Sequence, residues 1–73
     1  MLELIKKILS RQLQIDPDGI NEDTDIKVDL GVDSLDVVEM LVSIEEETGI
    51  TVPDDEIVNF KTIGDVVEYL ENA

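Results

Sequence analysis

Neither cysteine nor histidine occurs anywhere in the 73 residues of this chain. A chain so short has little apolar surface to bury, and proteins of this size often lean on disulfides or a structural metal. Without thiols no disulfide can form, and without imidazole the commonest metal ligand and proton shuttle is missing. The fold must therefore be held by side-chain packing alone, so the placing of apolar residues decides it. One domain over residues 1–73 is expected.

That placing is helical. Leu2, Ile5, Leu9 and Leu13, with Ile8 beside them, recur at helical spacing and predict an amphipathic helix from about Leu2 to Gln14. Asp16-Pro17-Asp18-Gly19 then has proline second and glycine fourth, as in a type I turn, and opens a long loop to Asp33. Ile20, Ile26, Val28 and Leu30 are expected to pin this loop to the body. A second helix is predicted from Ser34 to Thr48, stopped by Gly49 in a left-handed cap. Pro53 followed by Asp54, Asp55 and Glu56 marks a short third helix ending near Phe60. Thr62 with Asp65 three residues on resembles a capping box, and Ile63, Val66, Val67 and Leu70 supply the stripe of a last helix to about Asn72. No run alternates as a strand does. The expected fold is all-α, a small bundle of three main helices plus one short one.

Charge narrows the function. The formal net charge is -14, which repels nucleic acid and anionic membrane and favours partners with Arg and Lys patches. The charge is uneven: Val28 to Phe60 holds ten carboxylates and no basic residue, while Lys6, Lys7 and Arg11 cluster in the first helix. No apolar run reaches the roughly 18 residues of a membrane span, and the N-terminus lacks a basic-then-apolar signal layout. A cytoplasmic monomer is expected.

The second helix has two apolar faces. At about 100° per residue, Val37, Met40, Leu41, Ile44 and Thr48 share one arc, the core face. Leu35, Val38 and Val42 fall in a separate arc on the other side, interleaved with Glu39 and Glu46 and bordered by Asp36 and Glu45. An apolar stripe rimmed by carboxylates suits a surface that recognises a basic partner. The alternative is that the long loop packs over this stripe and buries it.

Ser34 stands where that helix begins. Asp33 occupies the N-cap position and Asp36 the third helical one, so the serine hydroxyl lies near the unpaired N–H groups and the positive end of the helix dipole, a place suited to phosphate. A serine there is commonly structural. A nucleophilic serine needs a base, and with no histidine the usual triad cannot be built. Gly31-Val32-Asp33-Ser34-Leu35 also lacks the second glycine of a nucleophile elbow, and no motif supports Lys27 or Lys61 as base. Ser34 reads better as a site modified by another enzyme.

The stretch Asp29-Leu30-Gly31-Val32-Asp33-Ser34-Leu35-Asp36 resembles the phosphopantetheine attachment motif of acyl carrier proteins, in the D-L-G-x-D-S-L-D form typical of bacterial fatty acid synthesis. The similarity continues through Val38-Glu39, Glu45-Glu46-Glu47, Ile50 to Asp55, and Thr62-Ile63-Gly64-Asp65 to Tyr69-Leu70. The resemblance implies that a phosphopantetheinyl transferase, using coenzyme A and magnesium, attaches a 4'-phosphopantetheine arm to Ser34, flanked by Asp33 and Leu35. Acyl groups would then ride as thioesters on the arm, and the chain itself would catalyse nothing. It further implies acyl transferases, ketosynthases and other basic-surfaced acyl-processing enzymes as partners, met through Asp36, Val38, Glu39, Val42, Glu45 and Glu46. An acyl chain withdrawn between the helices would make Val37, Leu41, Ile44, Phe60 and Tyr69 its pocket walls, residues otherwise read as core. No metal ligands are assigned.

There are departures from the family pattern. Thr48 stands where an aromatic residue is usual, Val28 replaces a common acid, and Ile57-Val58-Asn59-Phe60 differs from the alanine- and lysine-bearing third helix often seen. Fatty acid synthesis is the expected context; the alternatives are a specialised carrier for a polyketide, aminoacyl or lipid-modifying pathway, or a non-covalent acidic interaction module. A calcium site in the Asp16 to Asp25 loop fails, because the sixth and twelfth loop positions hold Asn21 and Lys27 in place of glycine and glutamate.

A net charge of -14 on a small core implies self-repulsion in the folded state. Sodium chloride, and millimolar magnesium more strongly, are expected to raise the melting temperature. A melt insensitive to both would show that repulsion does not limit stability.

Overall fold

The computed structural model describes residues 1–73. Three α-helices carry the fold: α1 (Leu2–Leu13), α2 (Ser34–Thr48) and α3 (Ile63–Glu71). Two 3-10 segments, Pro17–Gly19 and Asp54–Asn59, punctuate the connections. The short third helix expected after Pro53 is thus of the tighter 3-10 kind, with Pro53 as its N-cap. Gln14 closes α1 in a left-handed conformation (φ 56°), its N–H donating to the Ser10 carbonyl. Gly49 closes α2 in the same way at φ 76°, with its N–H on the Glu45 carbonyl.

The stripes anticipated from spacing meet in one core. Ile5, Ile8 and Leu9 of α1 pack with Val37, Met40, Leu41 and Ile44 of α2 and with Ile63, Val66, Val67 and Leu70 of α3. Val52 and Phe60 close it from the connection between α2 and α3. No buried side-chain polar atom lacks a hydrogen-bond partner, so the core carries no orphan polar group.

The long loop between α1 and α2 is tied to the start of α3. Ile26 N donates to the Lys61 carbonyl at 2.9 Å, Ile63 N to the Thr24 carbonyl at 3.0 Å, and Gly64 N to the Glu22 carbonyl at 2.8 Å. A Cβ at position 64 would sit 3.0 Å from that same Glu22 oxygen, so glycine lets the two backbones approach. Ile20 and Ile26 are buried and Leu30 half-buried, as expected of pins. Val28 is not a pin: it is 79% exposed. The reason is local, because Asp25 Oδ1 accepts from both Lys27 N (3.0 Å) and Val28 N (2.8 Å), which closes the turn after Ile26 and leaves position 28 outside it. Val32, not singled out by periodicity, is buried in its stead.

The capping box at α3 is complete. Thr62 Oγ1 accepts from Asp65 N at 3.2 Å, and Asp65 Oδ2 accepts from Thr62 N at 3.0 Å and Lys61 N at 2.9 Å. The backbone donors of Thr62, then of Lys61, hold the Asp65 carboxyl below the ordinary carboxylate range. A depressed folded value means that the stabilisation is present above the unfolded pKa and fades as pH falls through the folded one. Thr62→Ala should therefore cost about 1 kcal/mol, and Asp65→Ala should lower the neutral-pH melting temperature by an amount that shrinks in acid. Parallel melts of the two variants and the parent across the acid range check this; a gap for Asp65→Ala that stays constant would contradict it.

Candidate functional site

The site is assembled by the turn that precedes α2. Gly31 adopts φ +67°, a left-handed conformation that a side-chain-bearing residue takes only under strain, and nothing lies within 4 Å of where its Cβ would be. The demand for glycine is thus set by backbone torsion and not by space. Leu30 and Val32, on either side, pack inward, so the reversal at Gly31 delivers Asp33 and Ser34 outward at a fixed place. Behind it, Asp29 Oδ2 accepts from Asp25 N at 2.8 Å while Asp29 N donates to the Asp25 carbonyl at 3.0 Å, which knits the approach to the turn.

Asp33 is the N-cap, with extended backbone, and its Oδ1 accepts from Asp36 N at 3.1 Å. Val37 N donates to the Asp33 carbonyl at 3.2 Å. Those two bonds use the third and fourth amides of the helix, leaving those of Ser34 and Leu35 as the free donors of the first turn. Ser34 is exposed and is the first helical residue. The other serines differ: Ser10 is half-buried with its hydroxyl donating to the Lys7 carbonyl at 2.9 Å, and Ser43 is half-buried in mid-helix. A phosphate on Ser34 would meet two free amides and the positive end of a 15-residue helix. The residues present fit such a group.

Further along α2 the two faces separate as the wheel requires. Val37, Met40, Leu41 and Ile44 are buried, while Leu35 is 65% and Val42 49% exposed. Val38 is half-buried, so the stripe is deepest at its middle. The long loop does not cover it. Glu39, Glu45 and Glu46 are exposed and Asp36 half-buried along its edges. Glu45 is partly engaged, its Oε1 accepting from Thr51 Oγ1 at 3.0 Å. Glu47 pairs with Arg11 at 3.8 Å, both well exposed, a contact worth about 0–1 kcal/mol at most.

Of the residues considered as pocket walls, Val37, Leu41, Ile44 and Phe60 belong to the buried core, and Tyr69 packs on Phe60 edge to face with ring centroids 5.7 Å apart. The structure brings only the aromatic pair to an opening: a surface depression of about 420 Å³ where they sit beside Glu56, Asp65 and Glu68. That depression lies on α3 and the 3-10 helix and touches none of the α2 residues. Spacing also gave no sign of Gln12, whose Nε2 donates to the Asp36 carbonyl at 2.8 Å and ties α1 to the first turn of α2. No His, Cys, Asp or Glu cluster is arranged to hold a metal ion, and no helix is long and apolar enough to cross a membrane.

Comparison with known proteins gives the family. A family described as "Phosphopantetheine attachment site" matches residues 3–70. An acyl carrier protein of a Sulfurovum species is 41% identical over 69 residues, covering 94% of this chain and 92% of its own. The acyl carrier protein of Wolinella succinogenes is 43% identical over 67 residues, covering 92% and 88%. One from Clostridium perfringens is 41% identical over 70 residues, covering 96% and 92%. With the attachment-site match spanning almost the whole chain and relatives of this similarity along nearly their full lengths, the chain belongs to the acyl carrier protein family, a phosphopantetheine-bearing family of carriers.

Proposed function

We propose that Ser34 is the residue that bears the 4'-phosphopantetheine arm, and that this carrier, one domain over residues 1–73, shuttles acyl thioesters between enzymes of fatty acid biosynthesis in the cytoplasm. The observation that carries the proposal is the setting of Ser34: an exposed hydroxyl at the first position of α2, held out by the left-handed Gly31 turn, beside two free backbone amides. In loading, the Ser34 Oγ would form a bond to the phosphorus of the pantetheine phosphate of coenzyme A, and adenosine 3',5'-bisphosphate would leave. The chain has no histidine to take the serine proton and no motif that supports a lysine base, so in this reading the base comes from the transferase and the chain is its substrate. When bound, the arm supplies the thiol on which acyl groups travel.

Within this reading, Asp33 and Leu35 flank the arm. Leu35, Val38 and Val42 give a basic-surfaced transferase, ketosynthase or acyl transferase its apolar anchors, and Asp36, Glu39, Glu45 and Glu46 its charges. Long acyl chains would shelter by parting the core at Val37, Leu41, Ile44, Phe60 and Tyr69. A net charge of -14 favours the monomer in transit.

Intact mass after incubation with coenzyme A, magnesium and a phosphopantetheinyl transferase tests the assignment. The parent should gain one phosphopantetheine, and Ser34→Ala none, with its melting temperature close to the parent's. An adduct that persists in Ser34→Ala would place the arm elsewhere.

A further inference from the structure

Two of the most exposed apolar side chains lie outside α2. Val28 is 79% and Val58 86% exposed, and the fold brings them to one depression of about 310 Å³, walled also by Ile57 and Phe60 and flanked by Lys27 and Lys61. These are the two lysines outside α1, so the depression gathers both of the basic side chains that the rest of the acidic surface lacks. Two of the three departures from the family pattern, Val28 and the Ile57 to Phe60 stretch, meet there.

The exposure is built in, not frayed. Val28 is fixed by its N–H on Asp25 Oδ1, and the turn is closed by Asp29 N and Leu30 N on the Asp25 carbonyl at 3.0 and 3.3 Å. Val58 is presented by a 3-10 helix whose Ile57 packs against the core and whose end is held by Phe60 N on the Ile57 carbonyl at 3.1 Å. The depression holds two lysines against one carboxylate, Asp25, whose Oδ1 accepts from two backbone N–H groups. An apolar wall flanked by two lysines, in excess over the one carboxylate, is a combination that fits an apolar chain ending in an anion.

We propose that this depression is a binding site for an aliphatic carboxylate. The ligand chemistry has two sources: a free aliphatic acid, or an acyl group carried on Ser34 that bears a second, distal carboxylate. The tethered source rests on the carrier reading of Ser34; the site itself does not.

The test is an amide NMR titration of the unloaded chain with octanoate, with octylammonium and octanol as controls. On a protein of net charge -14, non-specific attraction favours the cation. Octanoate is expected to shift Lys27, Val28, Ile57, Val58 and Lys61 more than either control does. Lys27→Gln with Lys61→Gln should abolish those shifts, while the unliganded variant keeps the parent's dispersed amide spectrum, both residues being exposed. A separate Val58→Glu variant should do the same if the double variant folds poorly. Absence of shifts at these residues, octylammonium matching octanoate there, or retention of the shifts in the variants would each overturn the site. In a second arm, the transferase loads the chain with hexanoyl or with carboxylate-terminated acyl arms. Shifts at the same residues with the carboxylate-terminated arm alone identify the carried group as the source; their absence, with free octanoate still bound, identifies the free acid. A chain that cannot be loaded contradicts the carrier reading, and octanoate alone then decides the site.

Discussion

The backbone clamp between Glu22–Ile26 and Lys61–Gly64 fixes the order of everything around it. A loop of some twenty residues in a 73-residue chain would ordinarily wander, since ordering each residue costs about 1–2 kcal/mol. Here three inter-segment hydrogen bonds hold its middle against the entry to α3, and Ile20, Ile26 and Val32 bury themselves along it. With the middle fixed, the Gly31 reversal has a rigid base, and Asp33 and Ser34 are presented in one place. The capping box at Thr62 and Asp65 shares this junction, because Lys61 gives its N–H to Asp65 and its carbonyl to Ile26.

Most of the helical skeleton was legible, because each helix advertises its period and its cap in adjacent residues. Asp33 before Ser34, Gly49 after Thr48, and Thr62 with Asp65 mark ends that the structure places at the same residues. The clamp was not legible. It is a single antiparallel bridge between Asp25 and Thr62, too short to impose alternation and made of backbone groups that any sequence carries. The exposure of Val28 escaped for the same kind of reason: an apolar residue between pins looks like a pin, and only the double acceptance by Asp25 turns it out. The 3-10 form of Asp54–Asn59 also lies beyond composition, since acids after proline favour a helix start without fixing its pitch.

The surface divides by polarity. Along α2 an apolar stripe runs between carboxylates, whereas the depression at Val28 and Val58 offers an apolar wall between lysines. The two surfaces thus differ in the sign of the charge beside their apolar residues. The wheel separated the α2 faces from sequence alone, while the second surface needed tertiary placement, because its residues are about thirty positions apart.

The division of α2 into a folding face and a meeting face is the centre of this account, and paired truncation tests it. Val42→Ala and Ile44→Ala remove comparable aliphatic bulk two residues apart, one from a half-exposed position and one from full burial. Thermal melts alongside transferase kinetics should show Ile44→Ala losing about 2–5 kcal/mol of stability to the cavity it leaves. Val42→Ala should stay within about 0.5 kcal/mol of the parent while weakening its use by the transferase. Equal destabilisation by the two, with the kinetics of folded Val42→Ala unchanged, would contradict the account.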